Sequence, residues 1–214
     1  MSTKLLLAGP PLLFLLGVAV ILAAEPVRAL PRLDLAPSFE LTDPAAQPVA
    51  HVEFLGSVVL YSLVRAECDP ACLATLDLMR ALELETEREW PAPVRLVTLV
   101  VEPADRDRLQ ALAEVTRSRS GRWQVLGGDA AAVRPIRQGF RVAPVTRNDG
   151  STGIAPMLVL VDPAGFVRVE YRAPLPDLTA VLTDLALLQE EIAETRGPKR
   201  LVYEAVHFIT CRVR

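Results

Sequence analysis

The stretch Val58-Val59-Leu60-Tyr61-Ser62-Leu63-Val64-Arg65-Ala66-Glu67-Cys68-Asp69-Pro70-Ala71-Cys72-Leu73-Ala74-Thr75-Leu76-Asp77-Leu78-Met79 decides how the chain is read. Its first seven residues are β-branched or aliphatic almost throughout, which suits a strand buried on both faces. A short turn follows, and then apolar residues recur at helical spacing. Asp69 is placed to cap that helix and Pro70 to be its first residue, where a missing N–H costs nothing. Cys72 then falls in the first helical turn and Cys68 just before it. Both sulfurs sit near the positive end of the helix dipole, which favours thiolate, while the Asp69 carboxylate opposes that shift.

Outward from this stretch, buried strands alternate with helices. Ser38 to Asp43 alternates like a strand, and Val49 to Phe54 is expected to pair with it as a hairpin. Pro70 to about Glu89 reads as a helix with Leu73, Leu76, Met79 and Leu82 on its inner face, and the acidic run Glu83 to Glu89 as a solvated face. Val94 to Val101 is a second strand. Ala104 to Arg117 follows as an amphipathic helix with Leu109, Leu112 and Val115 facing inward. Trp123 to Leu126 leads into Gly127-Gly128-Asp129, and Ala130 to Phe140 is a further helix, with Trp123 and Phe140 read as core. Met157 to Val161 and Phe166 to Tyr171 form a late hairpin, and Leu178 to Thr195 is a last helix with a stripe from Leu178 to Ile192. Such alternation, with an antiparallel hairpin near the end, specifies an α/β sandwich.

Leu5 to Ala24 is an uninterrupted run of uncharged, mostly apolar residues, preceded by Lys4. Its length approaches that of a bilayer core, and the leading positive charge favours a cytoplasmic N-terminus with the rest exported. The expectation is an uncleaved transmembrane anchor over residues 1–24, with a signal peptide cut near Val27-Arg28-Ala29 as the rival reading. Residues 25–37, with Pro26, Pro31 and Pro37, read as a stiff, extended linker. Residues 38–195 are the domain and residues 196–214 an extension. The domain is expected on the extracytoplasmic side, where a dithiol can be oxidised. The chain carries 23 Lys and Arg against 26 Asp and Glu, a balance that gives no pointer to nucleic acid as a partner. Three cysteines and two histidines leave no zinc-finger spacing.

Cys68 and Cys72 are four apart, so their sulfurs share a side of a helical turn, an arrangement that serves disulfide closure or the holding of one Cu(I) ion between two thiolates. The surrounding motifs resemble the SCO/SenC family of copper-handling proteins with a thioredoxin fold, over roughly Pro37 to Ile192. They are Pro37-Ser38-Phe39-Glu40-Leu41-Thr42-Asp43 at the opening, Cys68-x-x-x-Cys72 after the buried strand, and Val101-Glu102-Pro103-Ala104-Asp105 with Glu102 where the family has Asp. Trp123-Gln124-Val125-Leu126-Gly127-Gly128, Gly139-Phe140-Arg141-Val142 and Leu158-Val159-Leu160-Val161-Asp162-Pro163-Ala164-Gly165 complete the pattern. The resemblance implies a thioredoxin-like sandwich with a central mixed sheet, behind a membrane helix. It also implies a Cu(I) cargo held by Cys68 and Cys72, and a role in assembling the copper-bearing subunit of cytochrome c oxidase.

The departures are specific. The family's copper-binding histidine aligns with Ile154, and no histidine lies between His51 and His207. Pro70 stands one place later than the family's proline. Ala155-Pro156-Met157 resembles the segment in which thioredoxins present a cis proline to a substrate cysteine, which makes Pro156 a candidate substrate-facing backbone and thiol-disulfide exchange an alternative function. In the extension, His207 and Cys211 are four apart. The tail either supplies His207 as a replacement ligand or packs as an apolar strip with Cys211 unpaired. His51 reads as a surface or packing histidine. A non-catalytic scaffold of a respiratory assembly is the alternative of another class, and a peroxidase with Arg65 as activating cation is a third.

Overall fold

Seven consecutive buried residues, Val58–Val64, form the central strand, β4. In the computed structural model, residues 29–87, 89–116, 118, 121–146 and 152–194 are described. Ahead of β4 lie β1 (Asp34–Leu35), β2 (Glu40–Thr42) and β3 (Pro48–Ala50). After it come α1 (Pro70–Glu85), β5 (Val94–Val100), α2 (Arg106–Thr116), β6 (Trp123–Leu126), α3 (Ala130–Gly139), β7 (Pro144–Thr146), β8 (Thr152–Ile154), β9 (Met157–Val161), β10 (Phe166–Arg172) and α4 (Leu178–Glu194). Six strands make one mixed sheet in the order β1-β10-β9-β4-β5-β6. β4, β5 and β6 are parallel, whereas β9 is antiparallel to β4 and β10 to β9.

The parallel strands are apolar on both sides because helices cover both. Val58, Leu60 and Val64 join the core under α1, α2 and α4, while Val59, Tyr61 and Leu63 join the one under α3 and the β2–β3 hairpin. Two polar residues inside this apolar run satisfy each other. Ser62 and Thr98 hydroxyls meet at 2.8 Å, and the Trp123 indole N–H donates to Thr98 Oγ1 at 2.9 Å. Trp123 and Phe140 are core residues, as expected.

Several expectations shift. The second strand of the early hairpin stops at Ala50, and His51–Phe54 form a 3-10 turn capped by Glu53, whose carboxylate accepts the Ala50 N–H at 2.7 Å. Leu73 and Val115 are exposed, because residues spaced by three drift about 60° per step around a helix of 3.6 residues per turn. The buried positions in α1 are Cys72, Thr75, Leu76, Met79, Leu82 and Glu83. Glu83 is thus buried rather than solvated, and it accepts the Ser118 hydroxyl at 2.7 Å.

The second half of the linker segment is part of the sheet. β1 pairs with β10, and the Leu33 N–H donates to Val167 O at 2.8 Å. β10 carries a bulge between Val167 and Val169. It moves Val167 to one core and Val169 to the other, and Arg168 is turned inward. There Arg168 donates to Asp162 Oδ2 at 3.1 Å, to Glu191 Oε2 at 2.5 Å and to the carbonyls of Leu30 and Pro31. Burial works against its charge, but the bonds to and attraction from Glu191 and Asp162 outweigh it and raise its pKa. Among the described residues no helix is long and apolar enough to cross a membrane. Leu5 to Ala24 lies outside them.

Tyr61 is enclosed by Phe39, Phe54 and Phe140 at ring distances of 6.0–6.2 Å, and burial raises its pKa, partly opposed by Arg95. Burial also raises that of Tyr171, helped by its hydrogen bond to Asp184 Oδ2 at 2.7 Å and the charge of that carboxylate. Unfolded tyrosine ionises near pH ~10. Above that value the unfolded chain releases protons the folded one keeps, so stability falls as pH rises, by up to ~1.4 kcal/mol per pH unit for each tyrosine. Urea midpoints at about pH 9 and about pH 11 check this. The Tyr61→Phe, Tyr171→Phe double variant should lose the part of the slope that lies above the tyrosine range.

Candidate functional site

The turn after β4 places the two cysteines at the end of the sheet where the parallel strands finish. Val64 O accepts the Val101 N–H at 3.0 Å, which locks the ends of β4 and β5 together beneath the turn. Asp69 caps α1 as its sequence implies: Oδ1 accepts the Cys72 N–H at 2.9 Å, and Pro70 opens the helix. Cys68 and Cys72 are joined by a disulfide with their Cα atoms 5.1 Å apart, within the range such a bond needs. Cys72 is 2% exposed and packs under the helix, whereas Cys68 is only partly buried at the edge of the same core. Cys68 is therefore the more exposed of the two and Cys72 the sheltered one.

Sequence reasoning missed the ion pair beside the turn. Arg65 Nε lies 3.0 and 3.2 Å from the two oxygens of Glu102, with both side chains partly buried. A signal was present, since Arg65 and Glu102 follow the paired ends Val64 and Val100 of two adjacent buried strands. Arg65 is thus engaged by a carboxylate, which neutralises the cation that a peroxidase would use to activate a thiol.

Pro156 lies at this same end, since Met157 pairs with Leu63 and the strand before Met157 extends toward the turn. The Ala155–Pro156 bond is trans, however. Among the described residues the cis peptide is Ala173–Pro174. Ile154 is 8% exposed and belongs to the core across the sheet from Cys72, so its side chain serves packing. His51 packs edge-on against Phe39, with Nε2 at 3.4 Å from the Ser38 hydroxyl, and is no part of this site. His207 and Cys211 lie outside the described residues.

Among the described residues no group of three or more His, Cys, Asp or Glu side chains could hold a metal ion. What the turn offers, once the disulfide is reduced, is two soft sulfur donors. That set fits Cu(I), and it does not supply the nitrogen donors that Cu(II) favours.

A model of the SCO1/SenC family matches residues 28–186. The chain belongs to the SCO1/SenC family. A relative from Stutzerimonas stutzeri, named for copper binding, is 28% identical over 153 residues, covering 70% of this chain and 74% of its own. Yeast Sco1 with copper bound has a similar structure, at a TM-score of 0.61 and 15% identity, covering 79% of this chain and 93% of that one. BsSco, a member of the Sco family of cytochrome c oxidase assembly proteins in which a disulfide switch is described, gives 0.59 and 18%, covering 76% and 98%. The mixed α/β, thioredoxin-like sandwich of this SCO1/SenC chain is the fold of those structures.

Proposed function

We propose that this SCO1/SenC protein assists assembly of the copper centre of cytochrome c oxidase, through Cu(I) binding and thiol-disulfide exchange at Cys68 and Cys72. The observation that carries the reading is the pair itself: two cysteines within bonding distance at a helix start, one more exposed and one sheltered. The family supports it, as do the copper named for the Stutzerimonas and yeast relatives and the assembly role named for the family of BsSco. Copper is cargo in this account. Two thiolates hold Cu(I) with few donors, and a target site offering more soft or nitrogen donors can take it. His207 is the candidate for a third donor. Leu5 to Ala24 would anchor the chain as a transmembrane helix, with residues 38–195 as the extracytoplasmic domain and 196–214 as its extension.

Exchange at the same pair is a two-electron step. The Cys68 thiolate attacks one sulfur of a target disulfide, and a target thiolate leaves and takes up a proton. Cys72, deprotonated in turn, attacks Cys68 Sγ and expels the second target thiolate. The target gains two electrons and two protons, and the Cys68–Cys72 disulfide closes. The order follows exposure, because Cys68 is the more exposed of the two.

Cys72→Ser removes the resolving sulfur, so the mixed disulfide between Cys68 and its target should persist. On non-reducing gels the variant should run as an adduct that reductant dissolves, and Cys68→Ser should give none. An adduct formed by Cys68→Ser and not by Cys72→Ser would reverse the order of attack.

A further inference from the structure

Six of the eight exposed large hydrophobic side chains among the described residues, Leu33, Leu35, Val52, Leu55, Leu84 and Val115, lie at one end of the domain. Strand register fixes which end. β4 and β5 run in parallel toward the dithiol turn, and α1 and α2 run back, so Leu84 and Val115, each next to last in its helix, return to where the strands begin. Leu55 lies just before β4. β1 pairs with β10 at Phe166 and Val167, Val167 faces Val161, and Val161 faces Val59 near the start of β4. The dithiol stands at the opposite end, ~20 Å away along the seven residues of β4.

Three of the six, Leu35, Val52 and Leu55, gather at one corner. Leu35 and Leu55 wall a pocket of about 220 Å³ that also reaches Phe54 and Tyr61, and Val52 lies alongside in the 3-10 turn. Of the carboxylates at this corner, Asp34 accepts the Leu35 N–H, Glu53 accepts the Ala50 N–H, and Asp162, which lines the pocket, is held by Arg168. The chain leaves by the same end. Arg168 holds the carbonyls of Leu30 and Pro31 against Asp162 and Glu191, so the path is fixed from Leu30 onward. Ala24, the last residue of the apolar run, is six residues earlier, a reach of at most ~20 Å.

We propose that this end of the domain seats on the bilayer, with Leu35, Val52 and Leu55 entering the headgroup region and the dithiol facing away from the lipid at a fixed height. The inference rests on the reading of Leu5 to Ala24 as a membrane anchor. A short tether holds the lipid surface at high effective concentration against the corner, so three exposed aliphatic side chains suffice for a lasting contact. Their shallow placement suits insertion at the headgroup boundary.

The test uses the full chain in phosphatidylcholine vesicles, with tryptophan placed singly as Leu35→Trp, Leu55→Trp or Leu73→Trp, the last beside the dithiol. Emission is compared in plain lipid and in lipid brominated near the headgroup end of its acyl chains, after subtraction of the parent protein's signal from Trp90 and Trp123. The added emission at 35 and 55 should be quenched at least about twofold more than at 73, as expected for groups ~5–10 Å into the boundary. Equal quenching at all three positions, in vesicles from which carbonate does not extract the protein, would overturn the proposal while sparing the anchor. Extraction by carbonate would instead remove the anchor reading, and the seat with it. Quenching at 35 and 55 that appears only after removal of residues 199–214 would mean that the tail covers this corner, which also overturns the proposal.

Discussion

Arg168→Met should destabilise the domain by about 3–5 kcal/mol, the cost of removing the cation from a buried ion-pair network. The methionine fills the space of the side chain stem and cannot donate. Asp162 and Glu191, whose side chains are 5% and 4% exposed, then face each other's charge in the core. The carbonyls of Leu30 and Pro31 lose their donor as well. For a domain of this size each kcal/mol moves the midpoint of thermal unfolding by ~2–4 °C, so a fall of about 10 °C is expected. Adding Glu191→Gln should recover part of it by removing one of the two negative charges that face each other. The strap should also loosen, and trypsin should cut after Arg32 faster than in the parent protein. A midpoint within ~2 °C of the parent would mean that the network contributes no net stability, as some buried ion pairs do.

That network lies beyond what the sequence pattern makes legible. β4 and the start of α1 could be read because each rests on local signals: an unbroken aliphatic run, a capping Asp and a first-turn Pro. Glu102 shows in the sequence only as a substitution within a motif, because its bond to Arg65, 37 residues away, depends on the register of two strands. Arg168 sits in a stretch that alternates like an ordinary hairpin strand, and the bulge that turns it inward leaves no mark in the pattern. Leu73 and Val115 fall outside the buried stripe because a spacing of three drifts around the helix, where the stripe alternates three and four. β1 was hidden because Asp34 and Leu35 are flanked by proline-rich sequence, and its pairing is set by the partner strand. That Cys68 and Cys72 stand within bonding distance is legible in the sequence, since residues four apart at a helix start share a side. Their unequal exposure followed from Cys72 falling on the buried stripe of α1.

Loss of either cysteine should have the largest effect on function. Two thiolates on one turn bind a single ion as a chelate, the second donor acting at high effective concentration once the first has engaged. Removing one is expected to weaken Cu(I) binding by about 10²–10⁴-fold. The full chain is needed here, because a protein trimmed at Ala36 would lose β1 and the carbonyls that Arg168 holds. His207→Ala, run alongside, reports whether the tail adds a third donor. The direct measurement is a competition titration of Cu(I) between a chromophoric chelator and the reduced full-length protein, beside Cys68→Ser and Cys72→Ser. One equivalent taken up by the parent and lost in both variants is the result predicted. Failure of the parent to compete, or uptake unchanged without Cys68 and Cys72, would contradict the account.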